Sequence, residues 1–516
     1  MSQHGLARQS PTEPLPDPRE ATTVTYDPSL ASLRTLAREA ETTTEFGSPS
    51  YVSEHRSRNA ALTRNAVDHE FDAADYDHVE TAIDAVGDRD LLCLDRRLGR
   101  HPENSYVCRY YVPEEYARIA LAWAGLFEPA PEGAEPDFTT VQLPDADEVA
   151  IRILPEEGFT AVLGTDYTGE AKKSFLRLFM FDAKRQGGLG LHAGTKQVRL
   201  ERGSSDEDHT ENGDGDGDGV LETVGQVFLG LSGTGKSTLT AHGLGLDDPD
   251  DATMLQDDVC ALRPDGTVAG SEGEGLYVKT IGLDADEQPD IHAATTDESA
   301  VLENVDVAPD GTVDFDSDRY TSNARAVVRR DRLPSADEEI DLPRVDQVFF
   351  ITRNPAMPPI AKLSPEEAAV AFMLGESVQT SAGDPDSAGE AIRVVGTNPF
   401  IVGSEGEEGN RFRDLIADLD VECFLINTGS VGDRDVGVSD TVTLLREVSR
   451  GRVDWTADET TGLTVPDSVP GLDVSRFSVG DALDDADERI ADLREERREY
   501  LAEFEALRDE IRRAVY

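Results

Sequence analysis

Apolar positions recur along this chain with two spacings, and those spacings predict its elements. Tyr116–Phe127 (YARIALAWAGLF) reads as a helix, whereas Glu148–Leu154 (EVAIRIL) puts β-branched residues on alternate positions, as a strand does. Val224–Leu229 (VGQVFL) and the run Asp346–Ile351 are further strands. Thr238–Ala241 opens a helix, and Met254–Leu255–Gln256 is a short apolar run closed by Asp257 and Asp258. From 220 to 453 strands and helices alternate, the order of an α/β domain. Near the end, Ile490, Leu493, Tyr500, Phe504, Leu507, Ile511 and Ala514 fall on heptad a and d positions, interrupted at Arg497. That spacing predicts an amphipathic helix over 481–516, docked on its own chain or pairing with a second copy. The alternatives are a monomer or a homodimer through this helix.

At 516 residues the chain exceeds one ordinary core, so several domains are expected. Residues 1–29, rich in Pro, Ser and charge, predict a loose tail. An N-terminal α/β domain follows at 30–200, then an acidic Gly-rich loop at 201–219, the alternating domain at 220–453 and an irregular connection at 454–480. The Asp-Gly alternation in 201–219 lacks the flanking helices of a calcium loop and reads as a linker.

Charge narrows the partners. The chain carries 104 Asp and Glu against 48 Lys and Arg, a formal net charge of −56. Such a surface repels nucleic acid and anionic membranes, so neither is an expected partner. The carboxylates lie between apolar runs, which fits a folded protein of a salt-loving host better than disorder. Lysine is nearly absent: Lys172, Lys173, Lys184, Lys196, Lys236, Lys279 and Lys362 are the full set. A chain that avoids surface Lys keeps it where an amine has a task, although Lys184, Lys196 and Lys362 read equally well as remnants. Cys93, Cys108, Cys260 and Cys423 lie far apart without CxxC spacing and read as reduced core thiols of a cytoplasmic protein. The N-terminus has no charged-then-apolar leader pattern, and no apolar run reaches membrane-spanning length.

Gly230, Leu231, Ser232, Gly233, Thr234, Gly235, Lys236 and Ser237 fit the phosphate-binding pattern G-x-x-x-x-G-K-[ST]. The context is the one the physics needs, a strand before and a helix, begun by Thr238, after. Glycines let successive N–H groups point at phosphate, and the helix start adds positive potential. Lys236 would reach the β- and γ-phosphates, and the Ser237 hydroxyl would ligate Mg²⁺. Asp257 and Asp258, at a strand end behind the loop, would offer hard oxygens to a metal.

The version GLSGTGKST, Gly230 to Thr238, resembles that of the ATP-type phosphoenolpyruvate carboxykinases. Leu163–Lys173 (LGTDYTGEAKK) is similar to that family's LGTxYxGExKK segment, which implies that Lys173 binds Mn²⁺ and Tyr167 lines the substrate pocket. His192 follows at the family's interval and looks like its Mn²⁺-binding His, with Asp258 as the third protein ligand. Glu274–Thr280 (EGLYVKT) resembles EGGCYAKT, implying that Lys279 lies near the nucleotide phosphates. Asn323–Ala324–Arg325 resembles NTR, whose Arg contacts the transferring phosphoryl group and substrate. The N-terminal substrate Arg is best matched by Arg56, with Arg58 as the alternative.

The resemblance implies an α/β, two-domain carboxykinase architecture, with a substrate-side domain, a P-loop mononucleotide-binding domain and a C-terminal helix. It also implies the reaction oxaloacetate + ATP to phosphoenolpyruvate + ADP + CO₂, with Mn²⁺ and Mg²⁺, feeding gluconeogenesis. Lys173, Lys236, Asp258 and Arg325 are then the catalytic set. Decarboxylation leaves an enolate, which a divalent cation stabilises, and the enolate oxygen attacks the γ-phosphate in line. A Lys ligand must be a neutral amine, which burial and the adjacent Lys172 would favour.

The chain departs from the family in places. Val259 replaces the Glu of Asp-Asp-Glu, Asn354–Pro359 (NPAMPP) replaces DAFGVLPP, and Asp435, beside Arg434, stands where the family has an adenine-side Arg. Base selectivity is therefore open, ATP or GTP. Two other readings compete: an HPr-kinase-type phosphotransferase, and a nucleotide-binding regulatory protein without catalysis.

Overall fold

A computed structural model of the chain describes residues 15–55, 60–201, 221–231, 233–246, 250–286, 288–378 and 391–516. Arg56, Arg58, Ser232 and nearly all of the 201–219 loop lie outside the described residues.

Two units share the chain. The first takes Met1–Asp182, Ser271–Pro334 and Phe400–Gly403. It holds a mixed sheet in which Leu91–Leu98, Tyr106–Pro113, Phe138–Leu143 and Phe159–Leu163 are successive neighbours, followed by Ala150–Leu154. The predicted helix forms at Ala117–Ala124, with all eight of its residues buried. The predicted strand forms at Ala150–Leu154. Within the expected tail, Val24–Tyr26 pairs in parallel with Leu91–Cys93, and the Tyr26 hydroxyl donates to Asp95 at 2.8 Å.

Chain continuity and unit membership differ. Gly275–Lys279 and Val301–Glu303 each pair with Arg325–Arg329, between them, and Val301–Glu303 pairs on its other side with Pro49–Tyr51. Residues 271–334 thus cluster with the N-terminal stretch, and not with the alternating domain in which the sequence places them. Long-range strand pairing of this kind leaves no local trace in the apolar pattern.

The second unit is built on an eight-stranded sheet. Its strands include β1 (Ala193–Glu201), β2 (Leu221–Gly230), β3 (Asp251–Gln256), β4 (Gln347–Thr352), β5 (Ile360–Leu363) and β6 (Glu422–Asn427). The order is β3-β1-β2-β4-β6-β5, continued by Thr464–Ser468 and Asp454–Ala457. Strands β2, β4 and β6 are parallel. Phe228, Phe349 and Phe424 stand in register on those three strands and stack with centroids 5.1 and 5.2 Å apart, forming the spine of the core. Trp455 extends the stack onto Phe424, so the segment expected as an irregular connection contributes a strand pair to the sheet edge. All four cysteines are buried and free, as expected of core thiols.

The single helix expected over 481–516 is instead broken, with helical stretches at Val479–Ala482, Ala486–Ala502 and Asp509–Arg513. Tertiary partners set the break. Asn410 donates from Nδ2 to the Ala506 carbonyl (2.8 Å) and accepts from the Arg508 amide (3.0 Å), giving those backbone groups partners outside the helix. Ile490, Leu501, Leu507 and Ile511 are buried within their own chain. Arg497, the heptad interruption, is 2% exposed and bonds Glu376 at 2.7 Å and the Tyr516 carbonyl at 2.7 Å.

Candidate active site

In the second unit, β2 ends at Gly230, which pairs with Ile351 of β4. Gly233 (φ +86°) and Gly235 (φ +96°) turn the backbone through the left-handed region, which disfavours side chains, and the helix Lys236–Ala241 begins at once. Thr234 braces the turn by donating to the Leu231 carbonyl from both its amide (3.1 Å) and its hydroxyl (2.8 Å). The Thr428 hydroxyl donates to the Thr234 carbonyl at 2.7 Å. Leu231 lies within the turn, and Thr238 lies inside the helix, its carbonyl taking the His242 amide at 2.9 Å.

Three predicted groups gather here. Among the described residues Lys236 Nζ is shielded from solvent and has no hydrogen-bond partner. Ser237 Oγ donates to Asp257 Oδ2 at 3.0 Å, and Asp257 Oδ1 is buried without a partner. A buried ammonium and carboxylate oxygen in this state fit an anionic phosphate and a cation respectively.

The two adjacent aspartates divide. Asp257 faces Ser237, while Asp258 Oδ1 stands 3.0 Å from His192 Nε2. His192 Nδ1 lies 2.6 Å from the Thr397 carbonyl. A carbonyl only accepts, so Nδ1 is the donor to Thr397 and Nε2 is the ring nitrogen left to face Asp258. Nε2 and a carboxylate oxygen directed at each other are a donor set suited to a divalent cation. Thr397 is a residue that sequence reading missed. It holds φ at +51°, costly for a β-branched residue, and no local motif announces it.

In the first unit, the helix Thr168–Arg185 starts beside Tyr167 and carries Lys172 and Lys173. Lys173 Nζ lies 3.3 Å from Glu170 Oε1, and 5.4 and 5.9 Å from the ring centres of Tyr167 and Phe400. Lys172 is buried and paired with Glu272 at 2.9 Å, so its charge is answered by that carboxylate. Lys173 itself keeps 31% side-chain exposure beside a carboxylate.

The remaining predicted residues form a chain of contacts in the same unit. Asn323 donates to the Tyr167 hydroxyl at 3.2 Å and accepts from Arg325 Nη2 at 2.8 Å. Arg325 lies over the Tyr277 ring at 5.6 Å and pairs across strands with Lys279. Burial, then the Arg325 charge, lowers the Lys279 pKa. Among the described residues, neither cation forms an ion pair with a carboxylate, and Arg325 Nε is buried without a partner.. Beneath them, burial pushes the Glu303 carboxyl up in pKa, against bonds from Tyr277 and the Thr168 amide.

Asp166 was also missed as a site residue. Its carboxylate takes the amides of Glu54 and His55, each at 2.8 Å, and bonds Arg118. It thereby fixes the backbone immediately before the segment containing Arg56.

The phosphoenolpyruvate carboxykinase family matches residues 28–475. A phosphoenolpyruvate carboxykinase (ATP) of Aeropyrum pernix is 35% identical over 397 residues, covering 76% of this chain and 76% of that protein. One from Salinibacter ruber is 29% identical over 431 residues, covering 78% and 74%. One from Brucella anthropi is 30% identical over 420 residues, covering 76% and 72%. With the family matched over residues 28–475 and relatives at this identity over three quarters of the chain, the chain belongs to the ATP-dependent phosphoenolpyruvate carboxykinase family.

Proposed function

We infer that this protein converts oxaloacetate and ATP to phosphoenolpyruvate, ADP and CO₂. The observation that carries the reading is the buried Lys236 Nζ, without a partner among the described residues, on a P-loop whose Ser237 bonds Asp257, in a chain matched to the family over residues 28–475.

In this reading Lys236 holds the β- and γ-phosphates and offsets the charge that develops during transfer. Arg325, aligned by Asn323, binds the anionic substrate and the transferring phosphoryl group. Tyr167, held by the same Asn323, lines the substrate site, and Arg56 is assigned to a substrate carboxylate by resemblance. Lys279 adds positive charge on the nucleotide side.

Ser237 and Asp257 are the residues that would hold Mg²⁺; His192 and Asp258 would hold Mn²⁺, a duty that resemblance also gives Lys173. Such cations supply charge stabilisation to the enolate and phosphate oxygens. The carboxylate beside Lys173 makes Glu170 the group that must release it for that duty.

Gluconeogenic use and a cytoplasmic setting follow from the family resemblance. No helix among the described residues is long and apolar enough to cross a membrane. The burial of Ile490, Leu501, Leu507 and Ile511 within their own chain supports a monomer over a dimer made through the C-terminal helix.

The test is an assay at high salt, suited to a chain of net charge −56, with oxaloacetate, ATP, Mg²⁺ and Mn²⁺. Phosphoenolpyruvate and ADP should form in equal amounts and disappear together in Lys236→Met. ADP without phosphoenolpyruvate would show a phosphotransferase with another acceptor. Neither product, in folded protein that binds ATP, would show a regulatory nucleotide-binding protein.

A further inference from the structure

We propose that Arg353 is a nucleotide-binding residue that grips the polyphosphate of ATP at the carboxyl edge of the parallel strands. The proposal rests on the nucleotide-binding part of the reading above.

Arg353 is the first residue beyond β4. Its strand neighbours at that edge are the P-loop on one side, through the Ile351–Gly230 pair, and the turn after β6 on the other, through Thr352–Asn427. Thr428 laces the three segments together, donating from its amide to the Thr352 carbonyl at 2.9 Å and from its hydroxyl to the Thr234 carbonyl at 2.7 Å. Ligands of open α/β sheets bind outside the carboxyl ends of parallel strands, which is where this residue stands.

Its side chain is confined. A Cβ added to Gly429 would lie 3.2 to 3.4 Å from Arg353 Cβ, Cα and Cγ, so the absence of a side chain at Gly429 leaves room for the arginine stem. Among the described residues the shielded Nε finds no acceptor and Arg353 forms no hydrogen bond or ion pair. Burial lowers its pKa with no opposing carboxylate.

The contrast with other buried arginines is direct. Arg109 meets Asp95 at 2.7 Å, and Arg497 meets Glu376 at 2.7 Å. With 104 Asp and Glu against 48 Lys and Arg, carboxylates are not scarce. A half-buried guanidinium without one is costly unless an anion from outside the chain completes it. Among the described residues Lys236 and Arg325 likewise meet no carboxylate. Side-on recognition through Nε and Nη2 suits two oxygens of a phosphate and leaves no unused buried donor.

Direct titration of the wild type, Arg353→Met and Arg353→Lys with ATP, inorganic triphosphate and adenosine tests the proposal, alongside steady-state kinetics. Met preserves the stem packed on Gly429 and removes the charge. Its affinity for both ATP and triphosphate should fall about tenfold or more, as expected for a lost hydrogen bond to a charged group, with adenosine unaffected. The apparent KM for ATP should rise by more than kcat falls, and Arg353→Lys should lie between. Unchanged affinity of Arg353→Met for ATP and triphosphate overturns the proposal, as does a loss confined to adenosine. Should the Met variant not fold, Arg353→Lys decides, because an unchanged triphosphate affinity there removes the bidentate contact. A wild type that binds neither ATP nor triphosphate overturns both the proposal and the carboxykinase reading, whereas wild-type binding matched by the variant overturns only the former.

Discussion

His192 Nε2 and Asp258 Oδ1 stand 3.0 Å apart while the other ring nitrogen of His192 is held by the Thr397 carbonyl at 2.6 Å. The carbonyl accepts from Nδ1, which turns Nε2 toward the carboxylate and leaves an imidazole nitrogen and a carboxylate oxygen at one point as a donor pair for a cation. Removing either group should weaken metal activation specifically. His192→Ala and Asp258→Asn are each expected to raise the Mn²⁺ concentration for half-activation on the order of tenfold or more. Mn²⁺ titrations of activity, with Mn²⁺ binding followed by electron paramagnetic resonance, check this. Unaltered titrations in both variants would remove these residues from the metal site.

Lys236→Met separates catalysis from stability. Its Nζ is buried with no partner among the described residues, so replacing it with an apolar side chain relieves a cost in the nucleotide-free protein. The thermal midpoint without ATP should equal or exceed that of the wild type, while turnover falls on the order of a hundredfold or more. The stabilisation that ATP confers on the wild type should largely vanish. A variant that unfolds more readily without ATP would show that Lys236 has a structural partner.

Lys196 predicts a pH dependence. It is wholly buried and donates to the Leu239 and His242 carbonyls at the end of the P-loop helix. Burial lowers its pKa to about 7. The unfolded lysine titrates near 10.4, so between about pH 7 and about pH 10 the unfolded chain holds a proton that the folded chain does not. Stability attributable to this group therefore rises with pH across that window. A neutral amine still has two N–H donors, matching its two carbonyls. Denaturant unfolding of the wild type and Lys196→Met from pH 7 to pH 10 should show the shallower rise in the variant. Parallel curves would mean that the amine stays charged.

Glu376 predicts the opposite limb. Burial alone would raise its carboxyl pKa, but the charges of Arg497 and Arg393 outweigh that and hold it at about 2. A depressed carboxylate contributes its full stability above the unfolded value, near 4.3, and loses it as pH falls through the folded value. Glu376→Gln should cost about 3 to 5 kcal/mol at neutral pH, because Arg497 is left buried and unpaired. The difference from the wild type should shrink below about pH 4, as urea unfolding at several pH values would reveal. A constant difference down to pH 2 would contradict the depressed carboxyl.

The lysine inventory shows how far composition alone can be read. Among the described residues Lys236 and Lys279 meet no carboxylate, which suits a phosphate or substrate site, and Lys172 is locked to Glu272. Of the three readable as remnants, Lys196 caps the end of the P-loop helix, Lys184 meets Glu408 at 2.7 Å, and Lys362 pairs at the surface with Glu422. Scarcity marks lysines that matter without saying how each matters, because a side chain's partner is chosen by the fold.

Local pattern was sufficient for the elements whose formation depends on near neighbours. The strand–glycine turn–helix of the P-loop, the strand ending at Asp257 and Asp258, and the buried helix at Ala117–Ala124 all follow from spacing and backbone freedom within a short window. Contacts between distant segments were settled by tertiary structure alone. The split of Asp257 from Asp258 depends on Ser237 and His192, and the hold on His192 depends on Thr397 in a left-handed conformation no motif announces. The break in the last helix depends on Asn410, and Arg353 becomes a candidate ligand only where β4 ends beside Gly230 and Gly429. Residue type and spacing set what chemistry this chain carries and on which local elements. Which of those groups face one another was decided by packing, because a hydrogen bond or an unpaired buried charge depends on distance in space and not on distance along the chain.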